Sequence, residues 1–185
     1  LRADRVLEHA FTRGNRLELL VDGTAIFDRL LDDLRHVEPG GFIHLFAYQL
    51  GDDRLGNEIA DVVAERAQQG VSVRVILDAQ GSLVHPFARC RRMLSRLRDA
   101  GVEIATCYAL DPSGYRIEHR KGVVFGGPRE GTCAYVGGAN FAEAYRDNIH
   151  DCMVRMEGPM AVQAQAEFLV GWLTLGGTID GHARQ

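Results

Sequence analysis

The hydrophobic positions of this chain switch repeatedly between a spacing of two and a spacing of three to four. In RLELLV, residues 16–21, Leu17, Leu19 and Val21 alternate with other residues and predict a strand with these three on one side. TAIFDRLLDDLRHV then places Phe27, Leu30, Leu31 and Leu34 on one helical stripe, with Thr24 as candidate N-cap. PGG ends that helix, and FIHLFAYQL follows as an almost continuously apolar run, the pattern of a central strand covered on both faces. RLGNEIADVVAERAQQG is a second helix, with Leu55, Ile59, Val62 and Val63 on its stripe and Gly70 as its stop. VSVRVILD alternates as a strand, a helix around ARCRRMLSRLRDAG buries Cys90, Met93, Leu94 and Leu97, and VEIATC is a further strand. To about residue 107 the order is β-α-β-α-β-α-β, which predicts a mainly parallel sheet with helices on its faces.

Past that point the pattern changes. ALDPSGYRIE reads as a loop, and KGVVF and TCAYVGG as short strands joined by the turn-rich GGPREG. HDCMVRM is another strand, and Gly158-Pro159 opens a last helix that buries Ala161, Ala164, Phe168 and Trp172. The expected fold is α/β, with a mixed, mostly parallel central sheet and helices on both faces. Residues 1–185 form a single domain whose tail starts at about residue 176.

Composition narrows the class. With 46% hydrophobic and 25% charged residues the chain is an ordinary globular protein, and its net charge of −4 argues against indiscriminate binding of nucleic acid. Cys90, Cys107, Cys133 and Cys152 form no CxxC pair and are expected as buried, reduced thiols in a cytosolic setting. No apolar run approaches the ~18 residues that would span a bilayer. The chain opens on Leu1, so a fragment or a processed product is expected, with an upstream targeting segment outside it.

One compositional detail points to chemistry. Twenty of the 21 basic residues are arginine, and the single lysine, Lys121, stands two residues after His119 at the start of a strand. A second strand ends in Gly137-Gly138, followed by Asn140, and Asp151 opens a third. Two glycines at a strand end allow close backbone approach and leave amide groups for an anion. If the three strands are neighbours, their ends gather an imidazole, an ammonium, an amide and a carboxylate. That set suits attack at phosphorus: the imidazole as nucleophile or proton carrier, Lys121 and Asn140 offsetting charge on phosphoryl oxygens, and Asp151 holding the histidine tautomer. A compact ammonium reaches one phosphate oxygen where a guanidinium fork would require bidentate geometry.

The combination HRK…GGAN resembles the HxK…N signature of the phospholipase D superfamily. The flanking FAEAY…HDCMVRMEGPMAVQAQAEFLVGW and FIHLFAYQLGDDRLGNEIADVVAERAQQGVSVRVILDAQGS are similar to the first half of bacterial cardiolipin synthases, over roughly residues 20 to 175. The resemblance implies that His119 attacks phosphorus or serves as partner acid. It implies that Lys121 and Asn140 bind the phosphoryl group, that Asp151 orients the histidine, and that Gly138 is the small residue beside the phosphate, with Gly137 adjoining it. No cofactor and no metal are implied. One position departs: the signature has Asp seven residues after its His, and here Gly126 stands there, so that either Glu130 of the following turn supplies a carboxylate nearby or nothing does.

The family site is built from two HxK motifs, and a chain with one lysine holds one. A second half is therefore expected, from a homodimer mate or from a C-terminal domain outside this sequence. The resemblance implies a phosphatidyl-transferring or phosphodiester-cleaving enzyme acting on phospholipid through a phosphohistidine, located in the cytoplasm and peripheral at the membrane. The alternatives are a homodimeric nuclease of the same superfamily, which acidic charge disfavours, and a degenerate half without activity. Elsewhere the plainer readings prevail. His44 is expected as a hydrogen-bonded core histidine, His85 and His150 as loop histidines, RCRRMLSRLR as a solvated helix face, and Met93 and Trp172 as core.

Overall fold

The computed structural model describes residues 12–179 apart from 84–86, 109, 112–113 and 116. The elements in chain order are β1 (Arg16–Val21), α1 (Gly23–Arg35), β2 (Phe42–Ala47), α2 (Arg54–Gln68), β3 (Ser72–Asp78), α3 (Ala79–Leu83) and α4 (Phe87–Asp99). They continue with β4 (Glu103–Cys107), the small hairpin β5 (Leu110–Asp111) and β6 (Gly114–Tyr115), then β7 (Lys121–Gly126), β8 (Cys133–Gly137), α5 (Glu143–Asp147), β9 (Cys152–Glu157) and α6 (Pro159–Thr174). Seven strands form one mixed sheet in the order β1-β9-β8-β7-β2-β3-β4.

The α/β architecture and the mixed sheet agree with the periodicity; the predominance of parallel pairing does not. Only β2–β3 and β3–β4 run parallel, while β1–β9, β9–β8, β8–β7 and β7–β2 are antiparallel. Connection length explains the split. Helices α2 and α4 carry the chain back over the sheet between parallel neighbours, whereas the turn after β7 is too brief for anything but an antiparallel return, and the α5 segment after β8 returns antiparallel as well. Strand β1 does not lie beside β2: α1 leads away from it, and β1 pairs along its whole length with β9 at the far edge.

Helices cover both faces. Ile26, Phe27, Leu30, Leu31 and Leu34 of α1, Leu55 and Ile59 of α2, and Met93, Leu94 and Leu97 of α4 pack with Ile43, Leu45, Val75 and Tyr135 in the larger core. On the other face Phe168 and Trp172 of α6 meet Phe46 and Ile76, and Ala161 meets Val124, Ala134 and Met156. Residues 176–179 turn back onto α6, where Trp172 Nε1 donates to the Thr178 carbonyl at 2.9 Å. Helix α1 begins one residue before Thr24, and its N-cap is Asp22, held at a φ of 67°.

Leu17, Leu19 and Val21 share one side of β1 as expected, but that side is exposed, at 57, 64 and 44%, and it is Leu20 that enters the core, because β1 is an edge strand lying beyond the cover of α6. Two local expectations are corrected by this packing. Cys152 on neighbouring β9 is exposed for the same reason, unlike Cys90, Cys107 and Cys133. His44 is a core histidine, stacked on Phe168 at 4.4 Å, but neither ring nitrogen has a hydrogen-bond partner. Burial, and secondly the charge of Arg74, push its pKa down from 6.5 to about 3.

Two outcomes follow from these placements. Leu20→Ala is expected to cost ~2–4 kcal/mol in urea unfolding while Leu19→Ala stays within ~0.5 kcal/mol; equal losses would mean that β1 presents its other side to the core. The folded protein refuses a proton that the unfolded chain accepts, so His44 removes stability as pH falls from 6.5 towards about 3, by at most ~1.4 kcal/mol per pH unit. His44→Phe keeps the ring stack and is expected to flatten that stretch of the stability–pH curve. An unchanged slope would assign the acid sensitivity elsewhere.

Candidate active site

Register carries the chemistry-bearing residues to one end of the sheet. Across it run the pairs Val21–Cys152, Met153–Gly137, Val136–Gly122, Lys121–Ala47 and Ala47–Leu77. Lys121, Gly137-Gly138 and Asp151 therefore share a rim with two residues that motif spacing does not mark, Tyr48 after β2 and Asp78 closing β3. The stretch holding Asn140 is tied to the same end, since Phe141 N donates to the Gln49 carbonyl at 3.0 Å.

Lys121 is the centre of this rim. It is 6% exposed, its Nζ donates to the His119 carbonyl at 2.6 Å, and the ammonium lies 4.7 Å from the centroid of the Tyr48 ring. Burial pulls its pKa below the ordinary lysine value; Asp151, then Asp78 and Glu118, push back towards the charged form. His119 lies on the irregular segment just before β7, exposed, with its ring 4.5 Å from that of Tyr48 and tilted by 57°.

Asp78 builds that segment. Fully buried, it accepts from Gln80 N and Gly81 N through Oδ1, at 2.9 and 3.0 Å, and from Glu118 N through Oδ2 at 2.8 Å. One carboxylate thus joins the turn after β3 to the residue preceding His119. The only sequence signal for it is an acid directly after an apolar strand, a position at which α/β sheets place their sites.

The expected partners of His119 stand close by but are engaged otherwise. Asp151 Oδ1 accepts from Cys152 N at 2.7 Å, and its backbone oxygen accepts from Asp22 N at 2.9 Å. No hydrogen bond joins its carboxylate to the His119 ring. The glycines serve close approach: a Cβ on Gly138 would lie 2.5 Å from Asp151 Oδ1, and one on Gly137 would lie 2.3 Å from the Cys152 carbonyl. The Gly138 amide donates to the Cys152 carbonyl at 3.2 Å, so it is not free for an anion as its position in the motif had suggested. Asn140 is 4% exposed, and its Oδ1 has no hydrogen-bond partner.

Other candidates separate from the site. Lys121 and Gly126 begin and end β7, about 17 Å apart at the usual rise per residue, so the aspartate missing at Gly126 removes no group from the rim. Glu130 lies in the turn at that remote end, beside Arg29 and Arg155, and does not replace it. His150 pairs with exposed Asp22 at 2.6 Å. His85 lies outside the described residues. On α4, Arg96 pairs with Asp61 at 3.1 Å, as a solvated face would, while Met93 and Trp172 are buried.

A family described as "Cardiolipin synthase, PLD-like domain" matches residues 38–172. The major cardiolipin synthase ClsA of Bacillus subtilis is 31% identical over 173 residues, which are 88% of this chain and 34% of that protein. The chain thus spans about a third of the length of the curated relatives it matches. Among solved structures, Nuc, a phospholipase D family member from Salmonella typhimurium, superposes with a TM-score of 0.67 at 14% identity, covering 86% of this chain and 95% of Nuc. A phosphatidylserine synthase from Haemophilus influenzae gives 0.65 at 18% identity, covering 90% and 40%. These two likenesses carry the fold.

Because the chain has one lysine, its ammonium can be followed alone. Titration of isotopically labelled Lys121 by NMR is expected to show a midpoint below 10.5. Asp151→Asn lowers that midpoint further, because it removes the strongest opposing carboxylate. A midpoint unmoved by that substitution would separate Asp151 from Lys121.

Proposed function

The chain belongs to the cardiolipin synthase family of phospholipase D-like domains, and from that premise we propose that it is one half of a phosphatidyl-transferring or phosphodiester-cleaving site acting on phospholipid. The observation that carries the reading is the buried, carboxylate-supported ammonium of Lys121 beside an exposed imidazole. An ion held out of water at the mouth of a cleft is costly to the fold alone and serves an anionic ligand.

In this mechanism an imidazole nitrogen of His119 attacks phosphorus. A P–N bond forms, the P–O bond to the leaving alcohol breaks, and a second histidine protonates the departing oxygen. Water, or the hydroxyl of an acceptor lipid, then gives its proton to that second histidine and attacks phosphorus. The P–N bond breaks and His119 is restored. Lys121 and the amide of Asn140 offset the charge that grows on the phosphoryl oxygens. Asn140 is buried at the rim, and it is its Nδ2 amide that would donate to a phosphoryl oxygen, while the unpaired Oδ1 can only accept. Asp151, released from its own strand end, takes the far ring nitrogen of His119 and fixes the tautomer.

The second histidine comes from a second HxK half, either a copy of this chain or further sequence of the same protein. The apolar residues Val21 and Val136 lie uncovered at the rim, with Leu19 next along β1, as a surface awaiting such a half would. No described helix is long and apolar enough to cross a membrane, and we place this half in the cytoplasm, at the membrane surface.

The decisive run incubates the intact protein with phosphatidylglycerol labelled in its phosphorus, beside a DNA control. Acid-labile label is expected on His119, and both His119→Ala and Lys121→Ala should lower turnover by at least ~10²–10³-fold. Lys121→Arg should not restore it, since a guanidinium fork does not fit a single backbone acceptor. Full turnover in His119→Ala would end the proposal, and salt-sensitive DNA cleavage without lipid turnover would replace it with the nuclease reading.

A further inference from the structure

Beside His119 and Lys121 a cleft of about 530 Å³ runs between the sheet and α6. Its floor is the face of β7, β8 and β9 on which Val124, Val136 and Met156 point towards α6, and its roof is formed by Met160, Gln163 and Ala164. The floor stays flat next to Lys121 because Gly122 has no side chain; a Cβ there would meet the Tyr135 carbonyl at 2.7 Å. Charged groups gather at the mouth instead. Arg120 lies 4.2 Å over the Phe46 ring and is paired with Glu118 and Glu167, of which Glu167 lines the entrance.

This division of chemistry selects an occupant. A strand of nucleic acid laid along the cleft would bring its phosphates past Glu167, and its bases would find walls that are aliphatic but for Gln163. A hydrocarbon chain asks only for exclusion of water, and methionines adapt to its changing conformers. We propose that the cleft holds the acyl chain of the phospholipid whose phosphate rests at His119 and Lys121. Val124, Val136, Met156, Met160 and Ala164 are then the residues that distinguish a lipid diester from a soluble one. The inference rests on the reading that His119 and Lys121 hold the phosphate, but it concerns binding and is separable from turnover.

Alkyl phosphates from butyl to octyl carry one phosphate and one chain, and their binding to the intact protein can be followed by calorimetry with inorganic phosphate as baseline. Affinity is expected to rise about fourfold for each added methylene. Ala164→Trp, which fills the roof, and Val136→Asp, which sets a carboxylate on a partly exposed wall, are each expected to abolish that rise. The second variant carries the test if the first does not fold. Equal affinity for butyl and octyl phosphate overturns the inference, as it would if a second HxK half plugged the cleft. A rise that survives both substitutions also overturns it, by placing the chain elsewhere, such as on the exposed stripe of β1. Chain-length dependence without any turnover of phosphatidylglycerol leaves the cleft assigned and removes the enzymatic reading; turnover without chain-length dependence does the reverse.

Discussion

The structure depends on keeping one ammonium charged where an apolar sheet ends. Lys121 is the first residue of β7, flanked by β2 and β8, with almost none of its surface in water. Such a lysine loses its proton readily unless opposite charge stands near. Here the opposing charge comes from three separate stretches of chain: Asp78 after β3, Glu118 in the segment before β7, and Asp151 at the start of β9. Glu118 is a sequence neighbour, but Asp78 and Asp151 come near Lys121 only when the strands are in register, so charge balance and correct topology are one condition. Arginine, abundant everywhere else, does not suit the place, because what surrounds Nζ is a single carbonyl and an aromatic face, not a planar pair of acceptors.

Asp78 extends the same logic from charge to shape. Its two oxygens satisfy three backbone donors drawn from both sides of the site, which makes the peptide before His119 a fixture of the β3 turn, not a free loop. Tyr48 completes the arrangement from β2, touching both His119 and Lys121 with one ring. The close approach at Gly138 brings Asp151 against the end of β8. Each contact crosses between strands that are distant in sequence, and together they preorganise the rim before a ligand arrives.

Much of this was legible in the sequence. Periodicity located the long helices and the sheet strands, and the lone lysine with its histidine, glycine pair, asparagine and aspartate falls at one end of the sheet. What stayed hidden has a common cause: a pattern records which residues are apolar, not what covers them. The alternation in RLELLV puts three apolar residues on one side without saying which way it faces, and at this edge that side faces outward and Leu20 takes the core. Parallel order was over-predicted because β1 and β2 are consecutive in sequence, while the β1 partner, β9, lies at the other end of the chain. Asp78 and Tyr48 were missed since one acid or one tyrosine after a strand is common, and only the ladder shows them beside Lys121. The unpaired His44 and the engaged Gly138 amide depend on three-dimensional neighbours that no spacing encodes.

The remote end of β7 explains why a departure from the family signature at Gly126 leaves the rim intact. There the fastening is done by other groups: Asp33 of α1 accepts from the Tyr135 hydroxyl and from Arg155 Nε, both at 2.7 Å, and Arg155 also reaches Glu157 at 2.6 Å. Burial and the Asp33 bond hold Tyr135 protonated, and although burial works against the Arg155 charge, Asp33 and Glu157 more than offset it. This clamp pins α1 to β8 and β9 at the end away from the chemistry. A one-residue slip of either strand would turn Tyr135 or Arg155 to the α6 face and break it. The same slip would carry Gly137 and Asp151 out of line with Lys121. The polar network at one end therefore enforces the register on which the ammonium at the other end relies, and an aspartate at position 126, next to the Phe42 ring, would add nothing to either.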